Sequence, residues 1–268
     1  MPSSSRRRRR LAGAASGRRR SNLPVPAFEG AQEHHEDMWR PRTAALAFDP
    51  AVFPHFHVFE LVNREEHKIG SAVKAVHIYS SETGTWVRRE NEWWGYEIVS
   101  SGHHAYANGS LHLTTADAEN GLVASVDTAG TTWKVTRVCP EHPAKLGGSG
   151  GFIGPSRRRL FFLDAGAGSS YAPELAIYAL EPGRGGGAER WILKQRVRNL
   201  QHQSGRMWFG THHAVVGIHP ECGVIFLFDS RGRKLVAYDM DQGTARVICT
   251  FTGPSRKYHF FPYVPLHS

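Results

Sequence analysis

Runs of β-branched and aromatic residues, each ended by turn residues, recur along the chain from about residue 46 onwards. The stretch VHIYSSETGTW at 76–86 contains one such run, a turn around a glycine and the start of a second run. Short runs of this kind bounded by Ser, Thr and Gly predict β-strands joined by a hairpin. Tyr79 and Trp86 stand on the two predicted strands, and we expect both to be core residues because large aromatic side chains chiefly pack.

The hairpin at 76–86 is one of four related copies in the chain. In the second copy Val126 takes the place of Tyr79, and a tryptophan again follows seven positions later. A unit that recurs in this way indicates a repeat architecture. The other three copies are VASVDTAGTTW at 123–133, LAIYALEPGRGGGAERW at 175–191 and LVAYDMDQGTARVI at 235–248.

A second type of hairpin precedes three of these copies. In each one an apolar stretch enters a turn marked by Asn-Gly, Gly-Pro-Ser or Pro-Glu-Cys-Gly and leaves as a β-branched or aromatic strand. LAFDPAVFPHFHVFELV at 46–62 is a more irregular equivalent ahead of the first copy. Each unit therefore contains about four short strands. The three hairpins are HAYANGSLHLTT at 104–115, GFIGPSRRRLFFLDA at 151–165 and AVVGIHPECGVIFLFDS at 214–230.

The spacing of the units favours a β-propeller. The equivalent positions Tyr79, Val126, Tyr178 and Tyr238 are separated by 47, 52 and 60 residues. One four-stranded propeller blade takes roughly 40 to 50 residues, and longer loops account for the wider spacings. The predicted fold class is all-β, a kelch-like β-propeller with about four recognisable four-stranded blades. The pattern leaves open an all-β sandwich with accidental similarity between hairpins.

Several stretches, in order along the chain, resemble a known family. LAFDPAVFPHFHVFEL, VHIYSSETGTW, WFGTHHAVVGIHPECGVIFLFDSRGRKLVAYDMDQGTARVI and the closing FPYVPLHS look like the C-terminal β-propeller region of the plant F-box-associated family, over about residues 43–268. The resemblance implies a propeller that selects the protein to be ubiquitinated. It also implies a small helical F-box near the N-terminus, which docks on the Skp1 adaptor of a cullin-RING ubiquitin ligase.

The chain departs from that family at its N-terminus. Residues 1–42 contain no leucine-rich stretch resembling an F-box. One or two blades are also not recognised, so we expect the propeller to be incomplete as encoded. By resemblance, the predicted function is a non-catalytic substrate-recognition module for an unknown target protein, with Skp1 as a partner only in a longer form that carries an F-box. The alternatives are a stand-alone or competing propeller fragment without ligase recruitment, and a propeller hydrolase.

The formal net charge of +9 is concentrated at the start of the chain. Residues 1–28 hold eight arginines and no acidic residue, which leaves 25 basic against 24 acidic side chains elsewhere. A near-neutral body lacks the bias of a domain that binds phosphate backbones, so nucleic acid is not expected as a partner. Low complexity predicts a disordered leader and linker over residues 1–42. The eight arginines are Arg6, Arg7, Arg8, Arg9, Arg10, Arg18, Arg19 and Arg20.

This arginine leader permits three interpretations. Two basic clusters separated by small residues are typical of a bipartite nuclear import signal. Richness in Arg, Ser and Ala without acidic residues is also typical of an organellar transit peptide. The third interpretation is a solvent-exposed leader that carries no targeting signal. The predicted location is the nucleus or cytoplasm, with organellar targeting left open.

The cysteines and the hydropathy of the chain exclude two further classes of protein. Cys139, Cys222 and Cys249 are far apart and lack a C-x-x-C spacing, which indicates neither a disulfide framework nor a zinc site and favours a reducing compartment. A membrane-spanning helix needs roughly 18 to 20 apolar residues. The most apolar stretch is the short run at 224–228, so no membrane partner is predicted.

Sixteen histidines raise the question of a metal site. His55 and His57 alternate on a predicted strand and would face the same side, but no third ligand can be assigned to join them. The adjacent pairs at 103–104 and 212–213 would point to opposite faces of a strand, and we expect them at strand ends in solvent. No metal site and no cofactor are therefore predicted.

Enzymatic chemistry finds little support in the sequence. SVDTAGTTW at 125–133 resembles, within one inserted residue, the Asp-box turn of sialidase-type propellers, which is structural in that family. No pair of carboxylates for glycoside hydrolysis can be assigned from spacing alone. G-x-S-x-G, phosphate-loop and dinucleotide motifs are absent from the sequence. No catalytic residue is predicted.

The candidate protein-binding residues are aromatic. ENEWWGYE at 90–97 breaks strand alternation and places Trp93, Trp94 and Tyr96 beside charged residues. Trp and Tyr dominate the hot spots of protein interfaces, so these residues suit a binding surface. Trp208, in RMWFGTHH at 206–213, raises the same question. The alternative is that one tryptophan of the first stretch belongs to the core and the other covers a loop.

Overall fold

The computed structural model describes most of the chain from residue 43 onwards. The arginine leader, with its eight candidate nuclear-import residues, lies outside the described part. Within the described part, no helix has the length and apolar character needed to cross a membrane. The described residues are 43–49, 54–63, 73–93, 100–115, 121–138, 151–169, 172–183, 185, 187–202, 205–208, 212–252 and 260.

The described residues form eighteen β-strands and no α-helix. In chain order the strands are β1 (Thr43–Ala47), β2 (His57–Asn63), β3 (Val73–Ser80), β4 (Thr85–Glu90), β5 (Ser100–Ala107), β6 (Ser110–Thr115), β7 (Leu122–Asp127), β8 (Trp133–Arg137), β9 (Phe152–Ser156), β10 (Arg159–Ser169), β11 (Ala172–Glu181), β12 (Arg190–Val197), β13 (Asn199–His202), β14 (Gly205–Trp208), β15 (His213–Ile218), β16 (Val224–Asp229), β17 (Lys234–Asp239) and β18 (Thr244–Thr250).

Four antiparallel blades of four strands account for most of this structure. β1–β4, β5–β8, β9–β12 and β15–β18 form the first to fourth blades. The prediction of an all-β fold with four four-stranded units is confirmed. The repeated positions Tyr79, Val126, Tyr178 and Tyr238 are all buried, and each lies on the third strand of its blade.

The first strand of each blade is the innermost one. Contacts join β1 to β5, β5 to β9 and β9 to β15. In contrast, all residues of the fourth strands β4 and β8, and all but one of β18, are exposed or half-buried. The blades therefore stand side by side around a common axis in a propeller arrangement, and over the described residues they form an open arc. We call the end at which the inner strands begin the lower end, and the end at which they turn into the second strands the upper end.

A hydrophobic cluster lies at each contact between neighbouring blades. Phe59 and Leu61 of the first blade pack with Leu111 and Leu113 of the second. Comparable clusters join the second blade to the third and the third to the fourth. A middle blade is covered on both faces, which explains why β7 is buried at five successive positions. Packing between blades thus holds the fold together.

Each contact between blades also contains an aromatic residue that makes a hydrogen bond to the neighbouring blade. A buried Trp N–H or Tyr O–H needs a polar partner, and here it finds one across the contact. These bonds fix the angle between blades in addition to burying apolar area. They are Trp93 Nε1 to the Ser125 carbonyl at 3.0 Å, Trp191 Nε1 to Thr136 Oγ1 at 2.9 Å, and Gln195 Nε2 to the Tyr238 hydroxyl at 2.7 Å.

The aromatic pair of the first hairpin is arranged as expected on two strands. Tyr79 and Trp86 are directly opposite each other on β3 and β4, with ring centroids 5.4 Å apart. Tyr79 is buried, and its ring also packs on Phe56 at 6.1 Å. Trp86 is half-buried rather than part of a core, because β4 is the outer strand of its blade.

A two-residue turn joins the first two strands of the second blade and of the third, and the turn predicted for the third blade is wrong. Asn108 and Gly109 have φ values of 51° and 76°, as in the type I′ turn that Asn-Gly favours. In the third blade the predicted Gly-Pro-Ser turn lies inside β9, and Arg157 and Arg158 form the turn instead, with φ of 50° and 61°.

Contacts with the fourth blade explain this arginine turn. A left-handed backbone costs a non-glycine residue about 1–2 kcal/mol. The guanidinium of Arg157 forms an ion pair with Asp241 and donates to the Cys222 carbonyl at 3.1 Å. Next to it, the buried Ser156 hydroxyl donates to the His219 carbonyl at 2.7 Å. The turn therefore ties the third blade to the fourth at the upper end.

The fourth blade carries an additional hairpin that the sequence did not predict. β13 pairs with β14 and lies parallel to β18, with Gln201 opposite Thr244 and His202 opposite Ala245. This pairing extends the fourth sheet to six strands. A short parallel contact between residues more than forty positions apart leaves no local signal in the sequence.

Candidate functional site

A histidine pair at the lower end of the fourth blade lies beside a buried carboxylate. His213 is the first residue of β15 and stands directly opposite Asp229, the last residue of β16. His213 and Asp229 are 5% and 7% exposed, and His212 is half-buried. The rings of His212 and His213 are 4.9 Å apart. One ligand atom from each of the three residues lies within 4.8 Å of the other two.

This geometry corrects the expectation for the pair at 212–213. Alternation on a strand would send the two side chains to opposite faces. However, His212 lies in a turn ahead of β15, so the alternation does not apply to it. The pair does lie at a strand end, but His213 is buried instead of being in solvent.

Backbone hydrogen bonds hold both sides of this cluster in place. The N–H groups of Arg231 and Gly232 donate to one carboxylate oxygen of Asp229, at 3.0 and 2.9 Å. The N–H and hydroxyl of Ser230 donate to the carbonyl of His212, at 2.9 and 3.0 Å. The turn after β16 is therefore joined to the residue that precedes β15, and the cluster is built on fixed backbone.

A second histidine pair lies on the inner strand of the second blade. His103 and His104 lie on β5, the inner strand of that blade, and both pairs are followed by an alanine. The His103 ring packs at 5.6 Å on Phe152, the first residue of β9. The pair at 103–104 therefore lies in the middle of an inner strand and not at a strand end as expected, whereas His213 begins an inner strand.

A buried glutamate with arginine partners lies near the start of β11. Glu174 is 5% exposed and accepts a hydrogen bond from Arg198 Nε at 2.8 Å, while Arg196 lies 3.7 Å from its second oxygen. A buried carboxylate needs such partners to remain charged. Arg196 and Arg198 are themselves exposed and add positive charge to the surface.

Trp93 is not available to a binding partner. Its side chain is 3% exposed, packs edge-on against Trp133 at 4.7 Å, and donates to the Ser125 carbonyl. The prediction of Trp93 as a protein-binding residue is therefore wrong, because the residue fills the contact between the first and second blades. The alternative stated for this stretch, that one of its tryptophans is core, applies to Trp93.

The other predicted binding residues, Trp94, Tyr96 and Trp208, lie wholly or partly outside the described part of the chain. Trp94 and Tyr96 lie outside the described residues, in the segment that leads into β5 at Ser100. Trp208 is the last residue of β14, and its side chain also lies outside the described part. After these stretches the described chain resumes at Ser100 and at His212, both at the lower end.

The remaining sequence candidates for metal binding or catalysis do not form a site in the described part. His55 is exposed and precedes β2, and among the described residues it belongs to no cluster of three metal-ligating side chains. The Asp-box-like turn is structural, as expected: Asp127 accepts from the Thr131 N–H at 2.7 Å and hydroxyl at 2.9 Å. Burial raises the pKa of Asp127, but hydrogen bonds from Thr131 and Thr132 more than offset that effect and lower it.

A small polar groove lies between the second and third blades. Its volume is about 60 Å³, far below the roughly 300–1,000 Å³ of a small-molecule site. His112, in this groove, contacts the Ala107 carbonyl through Nε2 at 3.2 Å, and burial lowers the pKa of its imidazole. The groove is lined by Asn108, Ser110, His112, Ser125, Thr132, Lys134 and Glu189.

The cluster of His212, His213 and Asp229 was missed from the sequence for a specific reason. Asp229 is sixteen positions from His213, and only the register between β15 and β16 brings them together. The sequence nevertheless contained two features that could have indicated this cluster. The adjacent histidines recur with a following alanine, and the hairpin after the second pair ends in an aspartate.

Comparisons with known proteins give distant structural likenesses only. No family model and no curated protein matches the chain. An auxiliary nutrient binding protein from Bacteroides ovatus has 13% identity and a TM-score of 0.39, with 71% of this chain and 44% of that chain covered. TolB from Acinetobacter baumannii has 13% identity and a TM-score of 0.36, with 78% and 44% covered. The nidogen/laminin complex has 13% identity and a TM-score of 0.29, with 74% and 76% covered.

The chain therefore spans less than half of the first two of these structures. Likenesses at such TM-scores carry no argument about its activity. The propeller arrangement rests on the blades themselves, on their order and on the contacts between their inner strands.

Proposed function

We propose that this chain is a non-catalytic protein-interaction module and that its target binds at the lower end of the blades. We further propose, from the resemblance to the plant F-box-associated family, that it is the substrate-recognition part of an SCF-type ubiquitin ligase. Propeller blades provide a rigid scaffold that displays loops, and loops on rigid scaffolds are where binding residues concentrate.

The observation that carries the proposal is a convergence at the lower end. The segment containing Trp94 and Tyr96 leads into β5, and the segment after Trp208 leads into β15. His212 and His213 lie at the second of these points, and His103 and His104 lie three and four residues beyond the first, in the middle of β5. Aromatic residues beside polar and charged groups match the composition of interface hot spots.

Site-specific photo-crosslinking tests where the target binds. A photoreactive amino acid is placed at position 94 or 208 of the full chain, and at the exposed Thr83 in the turn of the first blade as a matched control. We expect the same target to be crosslinked from 94 and 208 and not from 83. Crosslinking of the target from 83 alone would contradict the proposed surface.

A quantitative measurement on the captured target follows. Trp94→Ala and Trp208→Ala are expected to weaken its binding, by about 30-fold for a hot-spot residue worth 2 kcal/mol. Thr83→Ala is the control and should leave the affinity unchanged. Equal affinities for all variants would exclude these aromatic residues from the interface.

The ligase role requires its own test. Transcripts are sequenced through their 5′ ends, and the encoded protein is tested for direct binding to purified Skp1. An in-frame F-box together with Skp1 binding supports the receptor role. A transcript that encodes no F-box and a protein that fails to bind Skp1 would favour a stand-alone or competing propeller, while leaving the interaction surface unaffected.

A further inference from the structure

We propose that His212, His213 and Asp229 form a binding site for a divalent transition-metal ion, with Zn²⁺ as the expected ion. Two imidazoles and one carboxylate are a donor set that suits zinc and its neighbours among the first-row metals. This site shares His212 and His213 with the proposed protein-binding surface, but it requires no protein partner. It was not predicted from the sequence.

The distances between the ligand atoms fit an ion after a small movement. Zn²⁺ binds imidazole nitrogen and carboxylate oxygen at roughly 2.0–2.2 Å, which places tetrahedral ligand atoms about 3.4 Å apart. The three ligand atoms lie within 4.8 Å of one another. Closing the widest separation requires each atom to move by about 0.7 Å, which a side-chain rotation provides.

The backbone prepares Asp229 for this role. Two N–H groups of the following turn hold one of its oxygens, so the carboxylate keeps one orientation and its second oxygen is not bound by them. That second oxygen lies close to Gly232, where an added Cβ would be only 2.3 Å away. The glycine therefore makes room for the carboxylate in this position.

The register of the strands prepares the two histidines. His213 is paired with Asp229 across β15 and β16, so their side chains lie on the same face of the sheet. His212 is fixed through its carbonyl by Ser230, the residue after Asp229. Loss of a hydrogen bond that orients a ligand typically weakens metal binding by about 10–100-fold. The hydrogen bonds from Ser230 to His212 should therefore strengthen binding of the ion by a measurable factor.

The burial and charge of the site favour a cation. Asp229 and His213 are nearly inaccessible to solvent. Besides the turn N–H groups that Asp229 already has as partners, a metal ion is a partner that a buried carboxylate can bind. His212 is half-buried and leaves a route from solvent. Three protein ligands leave at least one coordination position for water, as in zinc sites that are open to exchange.

Zinc binding to the full chain, purified without a histidine tag and freed of metal by chelation, tests the proposal. Zn²⁺ is titrated in competition with a chromophoric chelator, which suppresses weak binding to surface histidines. X-ray absorption at the zinc edge then counts the imidazole ligands. We expect one tightly bound Zn²⁺ per chain with two imidazoles.

Two substitutions remove ligands, and one provides a matched control. His212→Ala and Asp229→Asn should each weaken Zn²⁺ binding by more than the roughly 100-fold upper range for an orienting residue. The side-chain amide oxygen in Asp229→Asn would still accept the turn hydrogen bonds, so this variant separates metal binding from folding. The control is His103→Ala, in the pair of the second blade, which should bind like the unaltered chain. Failure to bind one Zn²⁺, or unchanged binding in both ligand variants, would overturn the proposal.

Discussion

Replacing Trp93 by alanine tests whether the blades are held together as described. Trp93 is 3% exposed and fills the contact between the first and second blades. Truncation of a buried tryptophan costs about 3–5 kcal/mol. That cost includes the edge-to-face contact with Trp133, worth about 0.5–1.5 kcal/mol, and the hydrogen bond to Ser125, worth about 1 kcal/mol.

Equilibrium unfolding in urea measures this loss. With a slope of about 2–3 kcal/mol per molar urea, the midpoint for Trp93→Ala should fall by roughly 1–2.5 M. Trp93→Phe keeps an aromatic ring but loses the N–H donor, and we expect it to cost about 1–2 kcal/mol. Far-ultraviolet circular dichroism follows the transition independently of the tryptophan that is removed.

Trp94→Ala is the control variant for this unfolding experiment, because it removes the neighbouring tryptophan. If Trp94 contacts a target rather than the core, its replacement should change the free energy of unfolding by no more than about 0.5 kcal/mol, as for most surface substitutions. A Trp93→Ala variant as stable as the unaltered chain, or a Trp94→Ala variant that loses as much as Trp93→Ala, would refute the assignment of the two residues.

Three further predictions concern polar side chains. Ser156→Ala removes the hydrogen bond to His219 between the third and fourth blades and should lower the free energy of unfolding by about 1–3 kcal/mol, measured in urea. Burial lowers the pKa of His112 in the folded state, so the unfolded chain binds more protons at acidic pH. The melting temperature should therefore fall as the pH drops below about 6.5, the pKa of an unperturbed histidine. His112→Gln should reduce this dependence of the melting temperature on pH. The lowered pKa of Asp127 stabilises the fold above about pH 4, and this stabilisation should disappear on acidification and in Asp127→Ala, as measured by melting temperature.

Local patterns predicted the blades because each blade is built from short hairpins. The repeated position represented by Tyr79 falls on the third strand in all four blades, and the Asn-Gly turn lies where its composition placed it. Strand propensity and turn chemistry depend on a few neighbouring residues, and repeat spacing depends on the length of one blade. All three can therefore be recognised directly in the sequence.

Contacts between distant segments were not predictable in the same way. Arg157 and Arg158 adopt a turn that their own preferences disfavour, because the fourth blade supplies the ion pair and hydrogen bond that hold Arg157. Trp93 looked like a surface residue beside charged neighbours, but the second blade covers it. The grouping of His213 with Asp229 depends on strand register, which no single-residue property encodes.

The lifetime of the captured target in cells tests the proposed receptor function most directly. The target's half-life is measured after new protein synthesis is blocked, with and without depletion of this chain, and with re-expression of the unaltered chain or of Trp94→Ala. A substrate receptor predicts a longer half-life on depletion, reversed by the unaltered chain and not by Trp94→Ala. An unchanged or shorter half-life on depletion would contradict the receptor function, and a shorter one would identify the chain as a competitor that protects the target.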